Sequence, residues 1–175
     1  MGKHKSISEE QYFLSLVSEL NDQKETRMLA LMIHLFVEYW INEIINTLFK
    51  NPGIIFKDRD LNGFNKKIDL LKACGIIKES SDLLKNIQLI NQIRNDYAHN
   101  LIVGEIEKAT VDRINRIIML KVSYNNVGFA SQLDLHSRFK AKAISTIMEL
   151  YSLYAKLKGQ TPNNSMISSA LNPIM

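Results

Sequence analysis

Cys74 is the only cysteine among the 175 residues, so no disulfide can close within the chain, which fits a reducing cytoplasm. The stretch from Met1 to Ser15 lacks an apolar run, so no secretory leader is expected. Between Met28 and Ile41 only His34 and Glu38 are strongly polar, but this run is too short and too interrupted to cross a bilayer, and no membrane partner is expected. Runs of alternating apolar and polar residues are missing, which excludes a sheet as the organising element. There is no glycine-rich phosphate loop, no nucleophile motif around the serines or Cys74, and no helix-turn-helix signature. His34, Glu38, Asp96, His99 and His136 lack any recognisable metal-ligand spacing, so neither a metal nor another cofactor is expected. Neither charge dominates: 22 lysines and arginines oppose 18 aspartates and glutamates, and the net +4 is compatible with a nucleic-acid partner.

What the chain does have is helical periodicity. Ser8 opens a first helix with Phe13, Leu16, Val17 and Leu20 on one side, and it breaks near Asn21-Asp22. A long second helix is predicted from Gln23 to Lys50, stopped by Asn51-Pro52-Gly53 and central to the bundle. Its polar residues Arg27, His34, Glu38 and Asn42 lie within about 80° of one another, forming a narrow seam. Further helices are expected over Phe64 to Ala73, from Ser80-Ser81 to His99, over Thr110 to Val122, and over Leu133 to Leu157, with Ser123 to Gln132 as a loop. The fold class is therefore all-α: a single bundle of about five to six helices across residues 1–158, followed by a flexible polar tail over 159–175.

The run Arg94-Asn95-Asp96-Tyr97-Ala98-His99 closes one of these helices. Arginine is a fixed cation that forks onto phosphate oxygens, and histidine titrates near neutrality and can move protons. Leu83, Ile87, Ile90 and Tyr97 define an apolar arc, and Arg94 falls inside it. A buried guanidinium needs a carboxylate, a phosphate or a water-filled cleft. Positions 94 and 99 are about 140° apart around an ideal helix, so they share one phosphate only at a helix end or across a symmetric dimer. The alternative is structural: Arg94 paired with Glu38 or Glu43, and Asp96 or His99 capping the helix. Lys66, Lys67, Lys72, Lys78 and Lys85 gather near the short helix and the start of the next, either as solvated cations or as a rim that attracts a phosphodiester chain. Asp58-x-Asp60-x-Asn62-Gly63 opens like a calcium loop, but Asn65 and Asp69 replace its later residues and Arg59, Lys66 and Lys67 oppose a dication, so a turn is expected.

The arginine-x4-histidine pattern at a helix end, with a polar residue directly after the arginine, resembles the signature of the HEPN superfamily. Within it, the stretch from Ala30 to Asn100 resembles the mannitol operon repressor family. The matching parts are Phe36-Val37-Glu38-Tyr39-Trp40-Ile41, Gly63-Phe64-Asn65-Lys66-Lys67-Ile68-Asp69-Leu70-Leu71, Cys74-Gly75-Ile76-Ile77, and Leu89 through Asn100. The resemblance implies a homodimeric, HEPN-like helical bundle in the cytoplasm, acting as a metal-independent endoribonuclease or RNA-binding protein. Such proteins serve as toxins or in phage defence, with an antitoxin or regulatory protein as partner. Arg94 and His99 would be catalytic, with Asn95 and Asp96 orienting them. Lys66, Lys67 and Tyr97 would contact substrate, and Glu38 would be the structural partner of Arg94. Active members commonly carry a tyrosine two residues after the histidine, where this chain has Leu101. The alternative implied by the repressor branch is a non-catalytic transcriptional regulator or interaction protein.

Overall fold

In the computed structural model, residues 9–99, 108–119 and 133–160 are described. Leu101, the end of the fifth expected helix at Val122, the loop from Ser123 to Gln132 and the tail beyond Gln160 lie outside the described residues. The chain is all-helical, with α1 (Glu9–Asp22), α2 (Thr26–Leu48), α3 (Pro52–Lys57), α4 (Phe64–Ala73), α5 (Asp82–His99), α6 (Lys108–Arg116) and α7 (Leu135–Leu157). No strand occurs among the described residues.

Local chemistry sets most of these ends. Glu25 caps α2 by accepting a bond from the Met28 backbone N–H at 3.2 Å. Asp134 caps α7 in the same way, accepting from Ser137 N–H at 2.9 Å. At the end of α4, Gly75 turns left-handed with φ of 71°, and the N–H of Ile76 reaches back to the Leu71 carbonyl. The helix α3 lies where the sequence reads as a stop. Pro52 ends α2 as expected, yet its fixed φ and missing donor also suit the first helical position, so it starts α3 at once.

The bundle is built around α2, which touches α1, α4, α5 and α7. Leu29, Ala30, Ile33, Val37, Trp40, Ile41, Ile44 and Ile45 are all sealed from solvent. Trp40 sits among Phe13 of α1 and Tyr151 and Tyr154 of α7, with ring centroids 5.0 to 6.1 Å away. Among the described residues α2 is the one helix long and apolar enough to cross a membrane, and here it is the core helix of the bundle.

Buried polar groups fix how the outer helices sit. Asn86 of α5 donates to the Ile118 carbonyl (2.7 Å) and to Thr146 Oγ1 of α7 (3.1 Å), and accepts from the Ile118 N–H (2.8 Å). Farther along α5, Asp96 accepts from Thr110 and Arg113 of α6. These two links make α6 run antiparallel to α5. On α7, Lys140 donates to the carbonyls of Asn21 and Gln23 at the end of α1, and Lys142 to those of Ile114 and Asn115 at the end of α6. Cations at helix C-termini satisfy orphan carbonyls and oppose the helix dipole.

Candidate functional site

Within the polar seam of α2, His34 meets the C-terminal half of α5 and Glu38 meets α4. His34 is buried, with its ring 4.6 Å from that of Phe64 at the start of α4. Its Nε2 lies 3.0 Å from Asn91 Oδ1, an oxygen that only accepts, so the ring carries its proton on Nε2. Burial holds the imidazole below its ordinary pKa; Glu38 and the Asn91 bond pull upward, and the positive charge of Arg94 pushes further down.

Arg94 is half-buried, and its Nη1 donates to Asn95 Oδ1 at 2.9 Å. The expected counter-ion is elsewhere. Lys67 Nζ lies 2.9 Å from Glu38 Oε1 with only 4% of the lysine side chain exposed, and its ammonium also sits 5.7 Å from the centre of the Phe56 ring. The N-terminal turn of α4 docks directly on α2, so the enclosed ammonium takes the nearest carboxylate. Two expectations are thereby corrected: Glu38 is not the partner of Arg94, and Lys67 is not a cation on an open rim. Among the described residues no carboxylate pairs with Arg94.

Asp96 also departs from its expected place beside the arginine. Two residues along a helix is about 200° of rotation, so Asp96 leaves α5 on the far side from Arg94 and meets α6. There it binds Thr110 Oγ1 (3.1 Å) and Arg113, and so holds one helix to another rather than orienting Arg94. Tyr97 turns inward. Its ring packs on the core, and its hydroxyl is enclosed with no hydrogen-bond partner among the described residues. Burial raises the phenol pKa, and the charges of Glu25 and Asp96 add to this. An enclosed hydroxyl does not serve as a substrate contact.

His99 is the last described residue of α5. Lys66 is exposed on α4. The neighbouring lysines are largely neutralised: Lys72 by Glu79 (2.8 Å) and Asp69 (3.5 Å), and Lys85 by Asp82 (3.0 Å). Asp58 uses its Oδ1 to accept from the N–H groups of Asp60 (2.8 Å) and Leu61 (3.2 Å), the hydrogen bonds of a turn. Among the described residues no group of three histidine, cysteine or acidic side chains is placed to hold a metal.

No protein-family profile, curated protein or solved structure matches this chain. The chemistry of the site is therefore read from its own geometry. Arg94 is a fixed cation, half-enclosed, steered by Asn95 and not neutralised by any described carboxylate. Such a group is poised to receive an anion, because the desolvation cost of the guanidinium is already met by the fold and no described acid competes for it. Sequence reasoning missed Arg113 and the His34–Asn91 contact. Nothing in a local motif marks Arg113, since its partner lies on another helix; the seam of α2 did mark His34.

Proposed function

We propose that this chain is a HEPN-type, metal-independent endoribonuclease or RNA-binding protein, in which Arg94 grips a phosphate of the RNA backbone. The observation that carries the reading is the half-buried guanidinium without a described carboxylate, its expected partner Glu38 being held by Lys67. In the cleaving reaction a ribose 2′-hydroxyl attacks the adjacent phosphorus, and the bond to the 5′-oxygen of the next nucleotide breaks, leaving a cyclic phosphate. His99 moves the proton, and Arg94 neutralises the charge that grows on the phosphoryl oxygens. Asn95 sets the direction of the guanidinium. Removing one such charge-stabilising donor costs enzymes about 2.7–4 kcal/mol of transition-state stabilisation, or roughly 10²–10³ in rate. The protein would act as a cytoplasmic homodimer, because positions 94 and 99 diverge around α5 and a second copy can complete the site. A toxin or phage-defence role with an antitoxin partner follows from the same resemblance.

A second reading has its own support. Asp96 is committed to α6 and the Tyr97 hydroxyl is enclosed, which leaves fewer groups for chemistry and favours a regulator, in the manner of the mannitol operon repressor, that acts through protein contacts. The deciding experiment is incubation of purified protein with single-stranded RNA in EDTA. Cleavage with cyclic phosphate ends, abolished by His99→Ala in a protein that keeps its helical circular dichroism, is the expected result. Cleavage unaffected by that change removes the mechanism. RNA binding without cleavage, lost in Arg94→Ala, supports an RNA-binding protein without catalysis; no RNA binding refutes the first reading, and a stable protein partner in a pull-down then supports the regulator.

A further inference from the structure

His34 is a buried titratable group that the reaction above does not use, and it stands beside the cation that the reaction needs. It keeps only 6% of its surface. Three helices fix its surroundings. Glu38 lies one turn along α2 itself. From α4, the Phe64 ring leans on the imidazole with centroids 4.6 Å apart, and Lys67 holds the Glu38 carboxylate at 2.9 Å. From α5, Asn91 Oδ1 accepts the Nε2–H at 3.0 Å. Arg94 follows Asn91 by three residues, about 60° around the helix and so on the same side. Its charge reaches the ring.

In the free protein these charges disfavour an imidazolium. Glu38 is shared with Lys67, so the charge left over is that of Arg94, and a proton on His34 would set two cations side by side in an enclosed place. A phosphodiester seated on Arg94 reverses the balance. Its negative charge offsets the guanidinium as seen from the ring, and the next phosphates of the strand add to it. Protonation breaks no bond, because Nε2 donates to Asn91 in both forms of the ring and the new N–H appears at Nδ1.

We infer that His34 is a positioning residue of the RNA site: it takes up a proton from solvent when a phosphate seats on Arg94, and the imidazolium then stands behind the guanidinium as a second cation. This rests on the RNA reading above and adds a proton to the binding step. A proton held more tightly in the bound state than in the free state makes affinity rise as pH falls between the two pKa values, and leaves it level above and below that window. One charge about 8 Å away, at an effective dielectric of about 20–40, moves a pKa by roughly one unit. Affinity is then about tenfold greater on the acid side of the window.

The probe is a fluorescent 2′-O-methyl oligouridine, which has the phosphates of RNA, no hydroxyl to attack them and no base that titrates near neutrality. Anisotropy at fixed ionic strength, from about pH 8 down to about pH 5.5, compares His99→Ala with His99→Ala/His34→Gln, so that His99 itself does not contribute. Glutamine keeps a donor for Asn91 and has no titrating group. The tenfold gain toward acid pH is expected in the first protein and absent from the second, with equal affinities at the alkaline end. In wild type, where no substitution disturbs the fold, NMR of the His34 ring should show its pKa rise by about one unit when the oligonucleotide binds. An equal pH dependence with and without His34, or a ring pKa unmoved by bound oligonucleotide, overturns the inference; binding still lost in Arg94→Ala then leaves the Arg94 reading standing. Failure of wild type to bind at any pH overturns both.

Discussion

Replacing Lys67 by methionine is the sharpest test of how the interior of this bundle is wired. The ammonium is 4% exposed and its carboxylate partner 29% exposed, so the pair is enclosed on one side and partly wetted on the other. Removing one partner of a buried pair costs about 3–5 kcal/mol, because the survivor is left desolvated and unpaired. Water reaches Glu38, so the cost belongs at the lower end, about 3 kcal/mol, and the aliphatic length of methionine keeps the packing on Phe56. For a domain of this size that lowers the melting temperature by about 6–12 °C. Thermal unfolding followed by circular dichroism reads it directly. The double variant Lys67→Met/Glu38→Leu should recover most of the loss, since apolar groups of similar volume replace buried pairs at little cost. Lys67→Met has a second readout: with Glu38 released beside His34 and Arg94, the guanidinium gains a competing anion and RNA affinity falls. A single variant melting within about 2 °C of wild type would refute the argument that this pair is a buried brace.

Two further outcomes are expected. His34 has its folded pKa below the ordinary 6.5, so the unfolded chain takes up the proton first as pH falls. Stability should be constant above about pH 6.5 and decline through the window between that value and the lowered one; His34→Gln should flatten the decline in denaturant titrations. Asn86→Ala removes three hydrogen bonds and strands the backbone groups of Ile118, which should cost about 1–3 kcal/mol and speed amide exchange around residues 114–118 before the core of α2 responds.

The helices were legible because a buried stripe repeats with the helical period, and because Gly75 and the apolar positions recurring between Leu29 and Ile45 leave few alternatives. Two things were hidden. The chain leaves α6 after Arg116 although Ile117, Ile118 and Met119 continue an apolar pattern, because the Asn86 side chain takes both backbone groups of Ile118. That capture depends on a residue of another helix. The docking of α4 on α2 was hidden too, since the connection through α3 does not announce its direction; with it went the choice of partner for Glu38. Arg94 was readable as a cation on an apolar arc, which needs only one helix wheel. Where Asp96 would be spent was not, since that follows from α6 lying alongside.

Lys140 and Lys142 stand two positions apart, so they leave α7 on nearly opposite sides, one tied to the end of α1 and the other to the end of α6. Turning α7 about its long axis would slacken one tether only by stretching its twin. The rotational setting of that helix is therefore fixed by two opposed guy-lines as well as by the fit of its apolar ridges, and the aromatic rings it presents to Trp40 inherit the same aim.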